Sequence, residues 1–263
     1  FVQLGKSYDE SVSPMRHANT AYVAEWAAYA MDRTIGRPSA DLYLQDMTTG
    51  ARTRLKNNIN DRDATLGPGG KVLLYLQSDT FFAMNLATRA VTNITKGVPT
   101  SFIDKESDAT VTQKPDFGVA GWTKDDAAVL LYDKFDVWKV PTDGTKAQKL
   151  TDGAAEQVRH RLVRVGQDDD GIDLSKPVYV TLFGTLSKKS GFGQITPAGG
   201  VERLVWLDKS VGSLAKARQA DVYSYIVQDY DDSPDLFVGG ADLRAAKQVT
   251  HTNEFQSKYA WGR

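Results

Sequence analysis

Three features of the sequence predict an all-β protein built as a β-propeller. First, a strand–turn–strand unit recurs five times, with hairpins near 41–56, 79–95, 136–151, 190–205 and 235–250. Its clearest copy is Asp136-Val137-Trp138-Lys139-Val140-Pro141-Thr142-Asp143-Gly144, closed by Leu150-Thr151. Second, every copy carries an aromatic (Tyr43, Phe82, Trp138, Phe192, Phe237) and an aliphatic 12 residues later (Leu55, Ile94, Leu150, Leu204, Val249). Aromatics make up only 10% of the chain, so five matches at one spacing are not chance. Third, the aromatics lie about 40 to 55 residues apart and an apolar strand precedes each hairpin, the period and content of a four-stranded blade. A β-sandwich would give turn signals at similar density, but not one spacing held through five copies.

Taken in order, the first segment, to about Arg33, is the least regular. Ala21–Met31 is alanine-rich and propensity favours a helix there. The repeat register instead asks for an apolar strand before the hairpin, and Trp26–Ala30 is expected to supply it. The later copies have clear strands in that place: Val72–Leu76, Ala128–Tyr132, Val178–Phe183 and Val222–Val227. They are β-branched and aromatic, with polar turns just ahead of two of them, Leu66–Lys71 and Trp122–Asp126. Glycine supplies positive φ in such turns and proline presets φ. A further strand is expected in each variable stretch between units. In three copies the aliphatic precedes a threonine (Thr95, Thr151, Thr250), whereas Lys56 and Val205 break that pattern. About five four-stranded blades are thus expected across 1–263, either a single propeller domain or a piece of a larger ring.

Bulk composition narrows the function classes. With 32 basic against 33 acidic residues, no general attraction to nucleic acid or anionic membranes is expected. No apolar run approaches the roughly 20 residues that span a bilayer. The start, Phe1-Val2-Gln3-Leu4-Gly5, has no initiator methionine and no signal-type core, and reads as the inside of a longer protein. There is no cysteine, which removes disulfides, thiolate zinc sites and cysteine nucleophiles together.

Chemistry-bearing motifs are few. A serine hydrolase elbow needs Gly-x-Ser-x-Gly between a strand and a helix. The nearest approach, Val211-Gly212-Ser213-Leu214-Ala215, lacks the second glycine. The three histidines, His17, His160 and His251, are far apart and without metal-type spacing, and Arg159-His160-Arg161 reads as a surface or loop site. The run Asp168-Asp169-Asp170-Gly171-Ile172-Asp173 suggests calcium, but Gly166 and Pro177 occupy the first and last ligand positions of an EF-hand register. It reads as a turn between blades, and the acidic group 229–235 reads as a strand connection rather than a calcium site. Gly199-Gly200 and Gly239-Gly240 lack the lysine and helix of a phosphate loop. The tryptophans, Trp26, Trp122, Trp138, Trp206 and Trp261, read as core packing rather than a sugar-stacking platform. No catalytic, cofactor-binding or metal residue is assigned.

The unit from Gly121 to Val140, ending Lys149-Leu150-Thr151-Asp152-Gly153, resembles a blade from the prolyl oligopeptidase family of serine peptidases. So do Lys71–Leu86 and Pro234–Val238 with Val249-Thr250. The resemblance covers Ala24 to Gly262. It implies a WD-like propeller followed, in that family, by a catalytic α/β-hydrolase domain whose serine, acid and histidine have no counterpart here. It further implies a non-catalytic propeller that admits short, unfolded peptides to that hydrolase domain, in a periplasmic or secreted protein. The partners so implied are a C-terminal α/β-hydrolase domain and peptide substrates. Two other functions fit the sequence: a stand-alone propeller that docks a protein through one face, and a sugar-processing propeller with carboxylates such as Asp133 and Asp229 at strand ends.

Overall fold

The computed structural model describes residues 2–15, 18–111, 113–166 and 171–260. The first blade consists of β1 (Glu10–Pro14), β2 (Thr20–Glu25), β3 (Ala40–Asp46) and the start of β4 (Arg52–Leu66). Strand β4 is 15 residues long and serves two blades. Its first half pairs with β3, from Gln45↔Arg52 to Ala40↔Ile59. Its second half pairs with β5 (Val72–Gln77), from Asn60↔Leu76 to Leu66↔Leu73, and opens a second blade completed by β6 (Thr80–Asn85) and β7 (Val91–Asn93). Three further four-stranded sheets follow. They are β8 (Val119–Trp122), β9 (Ala128–Tyr132), β10 (Val137–Pro141) and β11 (Gln148–Lys149); β12 (Val158–Leu162), β13 (Val178–Gly184), β14 (Ser190–Ile195) and β15 (Val201–Leu207); and β16 (Ser210–Lys216), β17 (Tyr223–Asp229), β18 (Asp232–Gly239) and β19 (Lys247–Gln248). Within each sheet, strands adjacent in sequence are adjacent in space. The repeated hairpins are therefore the third and fourth strands of each blade.

The chain divides into two compact units, Phe1–Asp133 with Trp138–Gln148 and Asp170–Ile172, and Lys134–Val137 with Lys149–Asp169 and Asp173–Arg263. In the first unit, β5 explains why the second strands read as unbroken apolar runs. Leu73 and Tyr75 pack with Leu42, Ile59 and Met84, while Val72, Leu74 and Leu76 pack with Phe81, Phe102 and Val129. Successive side chains point to opposite faces, and both faces of this strand are covered. Leu73, Leu74 and Leu76 are at most 1% exposed, each contributing about 1.5–3 kcal/mol of apolar burial. The second unit has its own core around Tyr179, Phe192, Tyr225 and Val227.

A carboxylate fastens one turn to another within the first unit. Asp126, 2% exposed and at φ 58°, accepts from the backbone N–H groups of Gly69 (2.7 Å) and Lys71 (2.9 Å). The glycine-rich turn Leu66–Lys71 thus forms a nest of amides around an anion supplied by the chain itself. A Cβ on Gly67 would overlap that carboxylate, which accounts for the glycine.

The structure corrects the sequence at Trp26–Ala30. The strand before the first hairpin is β2, Thr20–Glu25, with Ala21 and Val23 fully buried on its core face. Trp26 leaves the extended region at φ −123°, ψ 9°, and a 3₁₀ turn (Ala27–Tyr29) runs into a one-turn helix, α1 (Ala30–Thr34). None of those helical residues is buried. Helix propensity prevails where no core competes for the side chains. No helix of the described residues is long and apolar enough to cross a membrane.

Candidate functional site

The repeat threonines mark a clasp between the third and fourth strands of a blade. The N–H of the residue one before the repeat aromatic donates to the threonine hydroxyl oxygen: Phe81 to Thr95 (3.2 Å), Val137 to Thr151 (3.0 Å) and Leu236 to Thr250 (2.8 Å). In two copies that hydroxyl donates in turn to an aspartate, Thr151 to Asp136 (2.7 Å) and Thr250 to Asp235 (2.9 Å). The same aspartates accept a second, backbone bond from the residue 17 positions on: Gly153 to Asp136 (2.6 Å) and Thr252 to Asp235 (2.8 Å). The first blade keeps that second bond, Asn58 N–H to Asp41 (3.0 Å), although Lys56 stands in the threonine position.

His160 joins the Asp136 clasp. It is not the surface or loop residue that its arginine neighbours suggest. It lies in β12 opposite Leu182, 4% exposed, with Nδ1 3.5 Å from the Asp136 carboxylate, which is itself 1% exposed. Burial pushes the Asp136 carboxyl up, but the His160 imidazole 3.5 Å away and the hydrogen bonds from Gly153 and Thr151 outweigh it and hold the group below its ordinary range. This cluster has an acid, an imidazole and a hydroxyl, yet not the order of a hydrolytic relay. Thr151 gives its proton to Asp136 and takes one from the Val137 amide, so its hydroxyl is committed to the backbone. Asp235 is likewise held low, chiefly by the Thr252 amide, with burial opposing and Thr250 adding to the effect.

The other candidate residues are also accounted for by the scaffold. Ser213 is exposed at φ 58° on a bulge of β16, not at a strand-to-helix elbow. Asp133 accepts from Trp138 Nε1 (2.7 Å) and Thr100 (2.9 Å), and Asp229 accepts from the Tyr230 amide (2.8 Å). Trp122 and Trp138 are 5% and 7% exposed, within the core. Arg33 stacks over Trp26 and Arg203 over Trp206. His251 is exposed, its Nδ1 3.3 Å from Gln248 Nε2. His17, Trp261 and Asp168–Asp170 lie outside the described residues, whereas Asp173, at the end of the acidic run, caps Ser175. Among the described residues no three histidines or carboxylates are grouped to hold a metal ion.

What the fold does present is clefts at one kind of blade end. In the second blade a cleft of about 200 Å³ lies between the β5–β6 turn, at Asp79, and the connection after β7, at Lys96 and Ser101. In the fifth blade one of about 400 Å³ lies between the β17–β18 turn, at Asp231, and the connection after β19, at Thr252 and Glu254. Both occupy the end where the second-to-third-strand turn meets the chain leaving the fourth strand. The acidic group 229–235 therefore belongs to a hairpin inside a blade, and its apolar neighbours and clefts were not legible in the sequence.

No protein-family model matches the chain, and no curated protein matches it. Solved structures do. A protein assigned as a dipeptidyl aminopeptidase IV, from Bacteroides ovatus, matches 94% of this chain and 42% of its own at 10% identity and a TM-score of 0.58. TolB from Acinetobacter baumannii matches 89% and 52% at 16% identity and a TM-score of 0.40. An oligogalacturonate lyase in complex with manganese matches 92% and 76% at 14% identity and a TM-score of 0.39. This chain thus spans less than half of the aminopeptidase-assigned structure. At these identities likeness bears on fold alone, and with the sheet order it identifies the chain as a β-propeller of four-stranded blades.

Proposed function

We propose that this chain is the propeller of a prolyl oligopeptidase-like serine hydrolase and regulates peptide access to a hydrolase domain elsewhere in the protein. The observation that carries the reading is the match to the aminopeptidase-assigned structure, which takes in 94% of this chain and only 42% of the other. The blade-level resemblance of Gly121–Gly153 points the same way. The polar groups best suited to hydrolysis, Asp136, Thr151 and His160, are tied into strand clasping, which suits a scaffold role. The physical basis of the control is size exclusion: a narrow passage admits a flexible peptide and rejects a folded chain.

The test compares three proteins: the full gene product, this chain alone, and the gene product with this chain deleted. The full product should cleave short chromogenic peptides but spare a folded protein, this chain alone should release nothing, and the deletion should lose the size limit. Equal size selectivity with and without the propeller would refute the gating role. The clefts at the blade ends favour one other reading, a stand-alone propeller that docks a protein partner, and a stop codon close after Arg263 would select it.

A further inference from the structure

The cleft at the end of the fifth blade continues into a second of about 360 Å³, the two sharing Asp232, Asp235 and Gln248. Both fall within the usual range of ligand sites, about 300–1,000 Å³. The second cleft is lined on its apolar side by Leu207, Val227 and Phe237. Around the joined groove stand Asp208, Asp231, Asp232, Asp235 and Glu254 against one lysine, Lys209. We propose that this groove binds an extended peptide segment by a lysine or arginine side chain, with the methylene stem on the apolar residues and the charged head among the carboxylates.

The chain already contains a small version of that contact. Lys209 Nζ sits 2.9 Å from Asp232 Oδ2, with the two side chains 39% and 49% exposed. Hydrogen bonding to Asp232 raises the Lys209 pKa; burial opposes this, and the charges of Asp232, Asp229 and Asp231 add to the rise. The local field therefore favours a cation. An ion pair this exposed contributes little to folding, so an incoming cation can replace Lys209 at small cost. The carboxylates do not converge as metal ligands, which suits a head group carried on a chain rather than a compact ion. Asp235 takes no direct part, because it is engaged by Thr250, Thr252 and Gln248. Long basic side chains divide between apolar and polar surroundings in the manner this groove offers. The proposal does not depend on the gating role.

Fluorescence anisotropy with a labelled Ala-Leu-Arg-Leu-Ala peptide and its glutamate counterpart tests it. The arginine peptide should bind this chain and weaken as salt rises, while the glutamate peptide should not bind. Replacing Asp208→Asn together with Asp231→Asn removes two charges whose side chains hold no other group among the described residues. That variant should bind about tenfold more weakly, the equivalent of one modest charge contact. Lys209→Ala removes the competing cation and should tighten binding several-fold. The proposal is overturned if the arginine peptide shows no binding at millimolar concentration, if both peptides bind alike, or if the double variant binds unchanged.

Discussion

Replacing Asp136 with alanine removes the acceptor at the centre of the most buried clasp. Two donors lose their partner, the Thr151 hydroxyl at 2.7 Å and the Gly153 amide at 2.6 Å, and His160 Nδ1 is left facing a gap. The hydroxyl can rotate, but the amide is fixed by the backbone. Each buried donor stranded in this way costs about 1–3 kcal/mol, so Asp136→Ala should cost about 2–5 kcal/mol. That is a large share of a typical stability of about 5–15 kcal/mol. With a urea m-value of about 3 kcal/mol/M, the midpoint should fall by about 0.7–1.7 M, read by tryptophan fluorescence and circular dichroism together. Asp136→Asn keeps one oxygen acceptor and should cost about half as much. A double-mutant cycle with Thr151→Val should give a coupling above about 0.5 kcal/mol, since the two groups are in direct contact. An Asp136→Ala midpoint indistinguishable from wild type, or an asparagine variant as damaged as the alanine one, would refute this account of the clasp.

Three other outcomes follow from the same geometry. Because Asp136 is held below its ordinary range when folded, its contribution is present above the unfolded carboxylate pKa of about 3.9 and is lost as pH falls through the folded value. The gap in urea midpoint between wild type and Asp136→Asn should therefore be wide at pH 7 and shrink toward pH 3; a gap that widens on acidification contradicts the assignment. Asp126→Ala should cost about 1–3 kcal/mol and speed hydrogen exchange at the Gly69 and Lys71 amides, which lose their acceptor. Gly153→Ala would drive a Cβ into the Val158 carbonyl oxygen, a backbone atom that cannot swing aside, and should lower the melting temperature by about 5 °C or more.

The outer hairpins were legible in the sequence because their spacing is a packing constraint. The aliphatic partners Leu55, Ile94, Leu150 and Leu204 are all buried, whereas Val249 is 53% exposed, so the spacing persists there without the burial. The threonine after the aliphatic was visible as a pattern, but not its cause. An oxygen that receives a strand amide 14 residues back in the chain appears only when the strands are paired. His160 reads as exposed in the sequence because neighbouring arginines signal exposure, while β-strand alternation sends them and the histidine to opposite faces. Trp26–Ala30 reads as a strand in the sequence because the repeat register fixes the presence of a strand but not its position, and the buried alternation of Ala21 and Val23 lies a few residues earlier. The groove of the fifth blade was hidden for a different reason. Leu207, Val227, Asp232 and Gln248 come from four strands or connections, and no local pattern joins them.

The central claim is that this propeller serves a hydrolase domain in the same protein. Reading the gene beyond the codon for Arg263 tests it most directly. The account predicts a Gly-x-Ser-x-Gly motif, set between a strand and a helix, within the next few hundred codons. An open reading frame that continues that far without the motif, or a stop codon close after Arg263, would contradict it.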